Sequence, residues 1–162
     1  MSQRNNGVVP LGPEVKRLEQ TITRILHASP DLVWAAWTDP ARVQQWWGPG
    51  PFTNPVCIWE AWPGGNIYLE MRSPDGMIFP MNGTMLEVEE PRTLVFQSRA
   101  LDAAGSPMFE VMNSITFEPA EKGTLLTIHL VVDPVPEGAR HYLGGMAQGW
   151  NGSLEKLEKF LG

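Results

Sequence analysis

What most limits the fold of this chain is the stretch from Val56 to Asp133. Six strand-like runs follow one another there: "VCIWEAW", "NIYLEMR", "MNGTMLEVEE", "RTLVFQSRA", "MFEVMNSITFEP" and "GTLLTIHLVVD". Their separators are short and rich in turn formers, among them Pro63-Gly64-Gly65, Pro74-Asp75-Gly76, Pro91, Ala104-Gly105-Ser106-Pro107 and Glu121-Lys122-Gly123. Connections this short leave no room for crossover helices, so the runs must pair as an antiparallel meander. An antiparallel sheet with one apolar face needs a second layer to cover it.

The two ends of the chain supply that layer. At the C-terminus, Leu143, Met146, Trp150, Leu154, Leu157 and Leu161 step by three or four residues, an amphipathic helical stripe. "SLEKLEKFL" places charge on the opposite face. Gly144, Gly145, Gly149 and Gly152 fall inside this segment, each costing about 1 kcal/mol against Ala in a helix interior. Close packing, or space left open, must compensate, and the helix can instead begin near Met146. At the other end, "LEQTITRILHA" alternates, with Leu18, Ile22 and Leu26 on one parity. Two short helices come next. Ser29-Pro30 and Asp39-Pro40 each pair an N-cap with a proline suited to the first helical position. The expected fold class is α+β: a curved antiparallel sheet of about seven strands around a long C-terminal helix, with two short helices after the first strand. Residues 1–13 read as a loose lead-in and 14–162 as a single domain.

Composition narrows the function classes. Hydrophobic residues make up 43% and charged residues 19%, so the chain can bury a core. The net charge of −6 gives no basic surface for nucleic acid. No apolar run has the length of a signal peptide or a membrane span, and a cytoplasmic location is expected. Cys57 is the single cysteine, in an apolar run that points to a buried, inert thiol. His27, His129 and His141 are too scattered for a metal site, and edge or surface positions are expected for them. There is no nucleophile elbow, phosphate loop or dinucleotide fingerprint, so no cofactor is expected.

Four groups of residues remain as candidates. "VQQWWGPGPF" sets Trp46 and Trp47 at the end of the second short helix, before a Gly-Pro loop. With Trp34, Trp37, Trp59, Trp62 and Trp150 they either fill a core or line a cavity. In the second case Trp46 and Trp47 belong to a lid that the Gly-Pro loop allows to shift. Met71, Met81, Met85, Met108, Met112 and Met146 would give an adaptable lining. Asn113 shares parity with Phe109, Val111, Ile115 and Phe117, so it needs a buried partner in backbone, water or ligand. Glu60 shares parity with Val56, Ile58 and Trp62. It is either exposed or ion-paired, with Arg24 as a partner, or buried with a raised pKa as an acid or base.

These motifs, in this order, resemble the START-like, or Bet v 1-like, helix-grip superfamily. More closely the chain is similar to bacterial homologues of the C-terminal domain of the heat-shock-protein ATPase activator. "RILHASPDLVWAAWTDPARVQQWWGPGPF", "PGGNIYLEM", "MNGTMLEVEEPRTLVF", "ITFEPAEKGTLLTIHL" and "GWNGSLEKLEKFL" carry the likeness over about residues 20–161. Many relatives place an Asp, one residue and an Arg before the Gly-Gly turn; here Glu60 and Trp62 stand there, so the cation is lost. The resemblance implies a helix-grip cavity for a small apolar or amphipathic molecule. Trp46, Trp47, Trp62, Met71, Asn113, Met146 and Trp150 are its expected lining. It also raises two other functions: a co-chaperone-like module acting on a heat-shock-protein ATPase, and a cyclase or hydrolase with Glu60 as acid or base. Edge strands would allow a homodimer.

Overall fold

The computed structural model describes residues 11–162; residues 1–10 of the expected lead-in lie outside them. The chain runs β1 (Leu18–Leu26), α1 (Pro30–Thr38), α2 (Pro40–Trp46), β2 (Thr53–Trp59), β3 (Asn66–Arg72), β4 (Ile78–Glu89), β5 (Thr93–Leu101), β6 (Pro107–Ala120) and β7 (Gly123–Val132). A 3-10 turn at Glu137–Ala139 leads into α3 (Arg140–Leu143), and α4 (Met146–Leu161) closes the chain. The seven strands form one antiparallel sheet in the order β1-β7-β6-β5-β4-β3-β2. The meander of six strands is therefore intact, and β1 joins its far end beside β7. This is an α+β helix-grip architecture.

Local chemistry sets the boundaries. Ser29 caps α1 through its side chain, which accepts from Leu32 N, and Asp39 caps α2 by accepting from Ala41 N. Proline occupies the start of both helices. The Gly-Gly turn between β2 and β3 is stitched to β4: Gly64 N donates to Met85 O, and Met85 N to Gly65 O, at 2.8 and 2.9 Å. A Cβ at Gly65 would stand 2.0 Å from the Glu60 carbonyl, so no larger residue fits without moving backbone.

Strict alternation divides the sheet faces. Along β7, every second residue from Thr124 to Val132 is buried. On β6 the buried set is Val111, Asn113, Ile115 and Phe117, the parity expected from sequence. The face they form is covered by α1, α2 and α4, with α4 packing against α1, α2 and β1. Trp37 sits at the centre of this layer. Its ring stacks on Trp150 at 5.9 Å and lies 4.8 Å from Trp46 and 6.0 Å from Phe117. Trp46 donates its indole N–H to Ala36 O at 2.8 Å, and Trp59 donates to Trp37 O at 2.8 Å. Core packing and lining are thus not alternatives for these indoles: Trp37, Trp46 and Trp59 fill the core, and others stand in front of them.

The segment before β1 is held by α3. Arg140, 11% exposed, donates to the carbonyls of Gly12, Pro13 and Val15 and pairs with Glu137. Among the described residues, no helix is long and apolar enough to cross a membrane.

Candidate functional site

Between α4 and the β3–β6 part of the sheet, packing is incomplete. A cleft of about 280 Å³ remains there. One wall is helical: Tyr142 from α3, then Met146, Gly149, Trp150 and Ser153 from α4. The opposite wall is sheet: Met71 and Phe79 to Met81, then Ser98, Ala100 and Leu101 from β5, and Met108, Phe109, Val111 and Asn113 from β6. Trp47, Gly48 and Pro49 form the rim. Apart from Tyr142, none of these side chains is titratable. A charged group buried here would find no counter-ion.

The rim is anchored. The Trp47 carbonyl accepts from Asn54 Nδ2 at 2.8 Å and from Lys156 Nζ at 3.3 Å, and Lys156 also donates to Phe52 O at 2.9 Å. The ammonium thus bridges both ends of the Gly-Pro loop from α4, and its partial burial lowers its pKa. The loop is also in tight contact. Gly48 has φ +87°, and a Cβ there would stand 2.9 Å from Met71 Sδ; one at Gly152 would stand 3.0 Å from Pro49 Cβ. The shifting lid read from the sequence meets a loop tied at both ends.

Two of the helix glycines now have separate reasons. Gly152 lets the loop lie directly on α4. Gly149 lines the cleft, and no atom stands within 4 Å of a Cβ built on it. Both options raised by the sequence occur, three residues apart.

Asn113 is the polar residue buried deepest in the cleft wall, at 2% exposure. Its Nδ2 donates to Phe96 O at 3.1 Å, Ser98 Oγ at 3.0 Å and Val111 O at 3.1 Å. Two of those partners are backbone carbonyls, which only accept, so the amide nitrogen must face them.

Of the residues expected to line a cavity, the structure brings together Trp47, Met71, Asn113, Met146 and Trp150. Trp46 and Trp62 are corrections. Trp46 is fully buried behind Trp47, because α2 ends at Trp46 and the chain turns extended at Trp47. Trp62 is 57% exposed, because the parity it shares with Ile58 is the outward one: Ile58 is also exposed, whereas Trp59 on the other parity is buried. Met85 lies in the closed core and Met112 is exposed, so neither joins Met71, Met81, Met108 and Met146 at the cleft. Ser98, Gly149 and Tyr142 were missed; for Gly149 the signal was its cost in a helix.

Glu60 and Trp62 instead border a second hollow of about 540 Å³, beside Cys57, Ile58 and Glu90. Its lining joins buried Trp34 and Trp59 to exposed Ile58 and Trp62, so it opens onto the surface. Glu60 Oε1 accepts from Asn66 N at 2.8 Å and so braces the Gly-Gly turn. Arg24 does not pair with it but with Glu158 at 2.8 Å on α4. Cys57 is half-buried, donates weakly to Pro40 O, and has its pKa pushed up to about 11 by desolvation. His27 and His141 are exposed, and His129 Nε2 meets Glu19 at 2.5 Å on the outer face. Among the described residues, no group of His, Cys, Asp and Glu is placed to hold a metal ion.

Comparison with known proteins agrees with this architecture. A crystal structure of a protein from Nitrosomonas europaea superposes with a TM-score of 0.72 at 28% identity, covering 89% of this chain and 94% of that one. One from Chromobacterium violaceum gives 0.72 at 27% identity, with 88% and 96% covered. A Silicibacter pomeroyi structure gives 0.75 at 20% identity, with 89% and 97% covered, which speaks for the fold alone. No curated protein matches. The family described as "Activator of Hsp90 ATPase homolog 1-like protein" matches residues 27–162, from the end of β1 through α4. With the sheet order, the paired short helices and the long terminal helix, that match makes this chain a member of the Activator of Hsp90 ATPase homolog 1-like family.

Proposed function

We propose that this protein binds a small apolar or amphipathic molecule in the cleft between α4 and the sheet. The observation that carries the reading is the open space in front of Gly149, with Trp47, Met71, Met146 and Trp150 around it. Elsewhere this layer is closed: Trp37, Trp46, Phe96 and Phe117 are all buried to 1% exposure or less. A volume of about 280 Å³ sits at the lower end of ligand pockets, which run to roughly 300–1,000 Å³. The occupant is therefore small. Methionine supplies four flexible side chains to the walls, which suits a ligand whose shape varies.

The test is a titration with a panel of small apolar and amphipathic molecules, following tryptophan fluorescence and the thermal midpoint together. Trp47 and Trp150 report directly from the walls. A ligand at one hundred times its Kd adds about 2.7 kcal/mol of stability, enough to raise the midpoint by about 5–10 °C. No fluorescence change and no shift across the panel would contradict the reading. A change in chaperone ATPase rate on adding the protein would then move the function to partner binding.

A further inference from the structure

Resting on that reading, we infer that the cleft selects an uncharged hydroxyl group at its sheet end, met by Asn113 Oδ1 and the Ser98 hydroxyl together. Asn113 Nδ2 is committed to Phe96 O, Val111 O and Ser98 Oγ. Flipping the amide would set its oxygen against two carbonyls, so the orientation is fixed by chemistry. Asn113 Oδ1 accepts no hydrogen bond among the described residues. Nor is it one of the fully occluded unpaired atoms, which are Gln20 Oε1, Trp37 Nε1 and Asn54 Oδ1. The small accessible part of Asn113 therefore includes this acceptor, and the residue lines the cleft.

Ser98 stands beside it on β5, 7% exposed and also in the cleft wall. Its oxygen receives the Asn113 N–H, and its own proton has no acceptor among the described residues. The pair thus offers one acceptor and one donor side by side. A ligand O–H can donate to Asn113 Oδ1 and accept from Ser98 Oγ–H at once. An ether can only accept, leaving the Asn113 oxygen unpaired. A carboxylate meets that oxygen as one acceptor against another, with no cation in the wall to compensate. The rest of the lining, Met71, Met146 and Trp150 included, takes the apolar body.

The experiment measures Kd for three probes that share one chain: n-octanol, its methyl ether, and octanoate. The wild type is expected to bind octanol about tenfold to a hundredfold more tightly than either of the others, the cost of one unpaired buried polar group. Asn113→Leu is expected to bring octanol and the ether to within about threefold of each other, with Ser98→Ala moving the same way. The wild-type series decides by itself if Asn113→Leu does not fold. Equal affinities for all three, or a preference for octanoate, overturn the hydroxyl assignment while the cleft remains a binding site. No saturable binding of any probe overturns both.

Discussion

Gly149 and Gly152 are one turn apart on α4, and replacing each with alanine should move stability in different directions. Alanine gains about 0.5–1 kcal/mol over glycine inside a helix. At Gly149 nothing stands within 4 Å of the new methyl, so the gain should appear in full. For a domain of this size that is a rise in Tm of about 1–4 °C. At Gly152 the methyl would meet Pro49 Cβ at 3.0 Å and Pro49 Cα at 3.2 Å. The loop cannot retreat freely, because Lys156 and Asn54 hold it from two sides. Overpacking costs of about 1–3 kcal/mol then outweigh the propensity gain. Gly152→Ala should therefore lower Tm, or at best leave it unchanged. Urea and thermal melts followed by far-UV circular dichroism measure both. The methyl at Gly149 also projects into the cleft, so Gly149→Ala should weaken ligand binding while strengthening the fold. A stabilised Gly152→Ala, or a destabilised Gly149→Ala, would refute the account of how this helix meets the loop and the cleft.

Trp46→Phe should cost about 2–4 kcal/mol, because it opens a core cavity and strips Ala36 O of its donor. Trp37→Phe should cost less than Trp46→Phe, since the Trp37 N–H has no acceptor to lose; denaturant melts of the two variants compare them. Cys57 should react far more slowly with a disulfide reagent at pH 8 in the folded protein than in urea, because a pKa of about 11 keeps it a thiol. Glu19 has its pKa lowered from the ordinary 4.5, first by the hydrogen bond from Arg17 and then by that from His129. Its contribution is therefore present above pH 4.5 and lost as pH falls through the lower folded value. The Tm difference between wild type and Glu19→Gln should shrink as pH falls below 4.5.

The strands were legible because their side-chain period is two and their turns are short, so β7 could be read residue by residue. The starts of α1 and α2 were legible because a cap followed by proline is a local signal that tertiary packing rarely overrides. Parity alone does not say which face is inner. Around Glu60 apolar residues stand on both parities of "VCIWEAW", and the inner one holds Trp59 while Ile58 and Trp62 share the outer. Trp46 and Trp47 differ by one position, and which of them faces a cavity depends on whether the helix ends between them; it does. Met85 and Met108 share their residue type and a strand setting, yet one is sealed in the core and the other borders the cleft. No local pattern encodes that difference. Asn113 was legible as an inward polar residue, but not its acceptors, since Phe96 O and Ser98 Oγ lie across a strand pair.

Whether a small molecule occupies the cleft can be read by methyl-labelling the methionines and recording their NMR signals during a titration with n-octanol. Occupancy of the cleft predicts saturable shifts at Met71, Met81, Met108 and Met146, with Met77 and Met112 on the outer surface unmoved. Unchanged signals at the four cleft methionines at saturating probe, or shifts spread equally over Met77 and Met112, would contradict it.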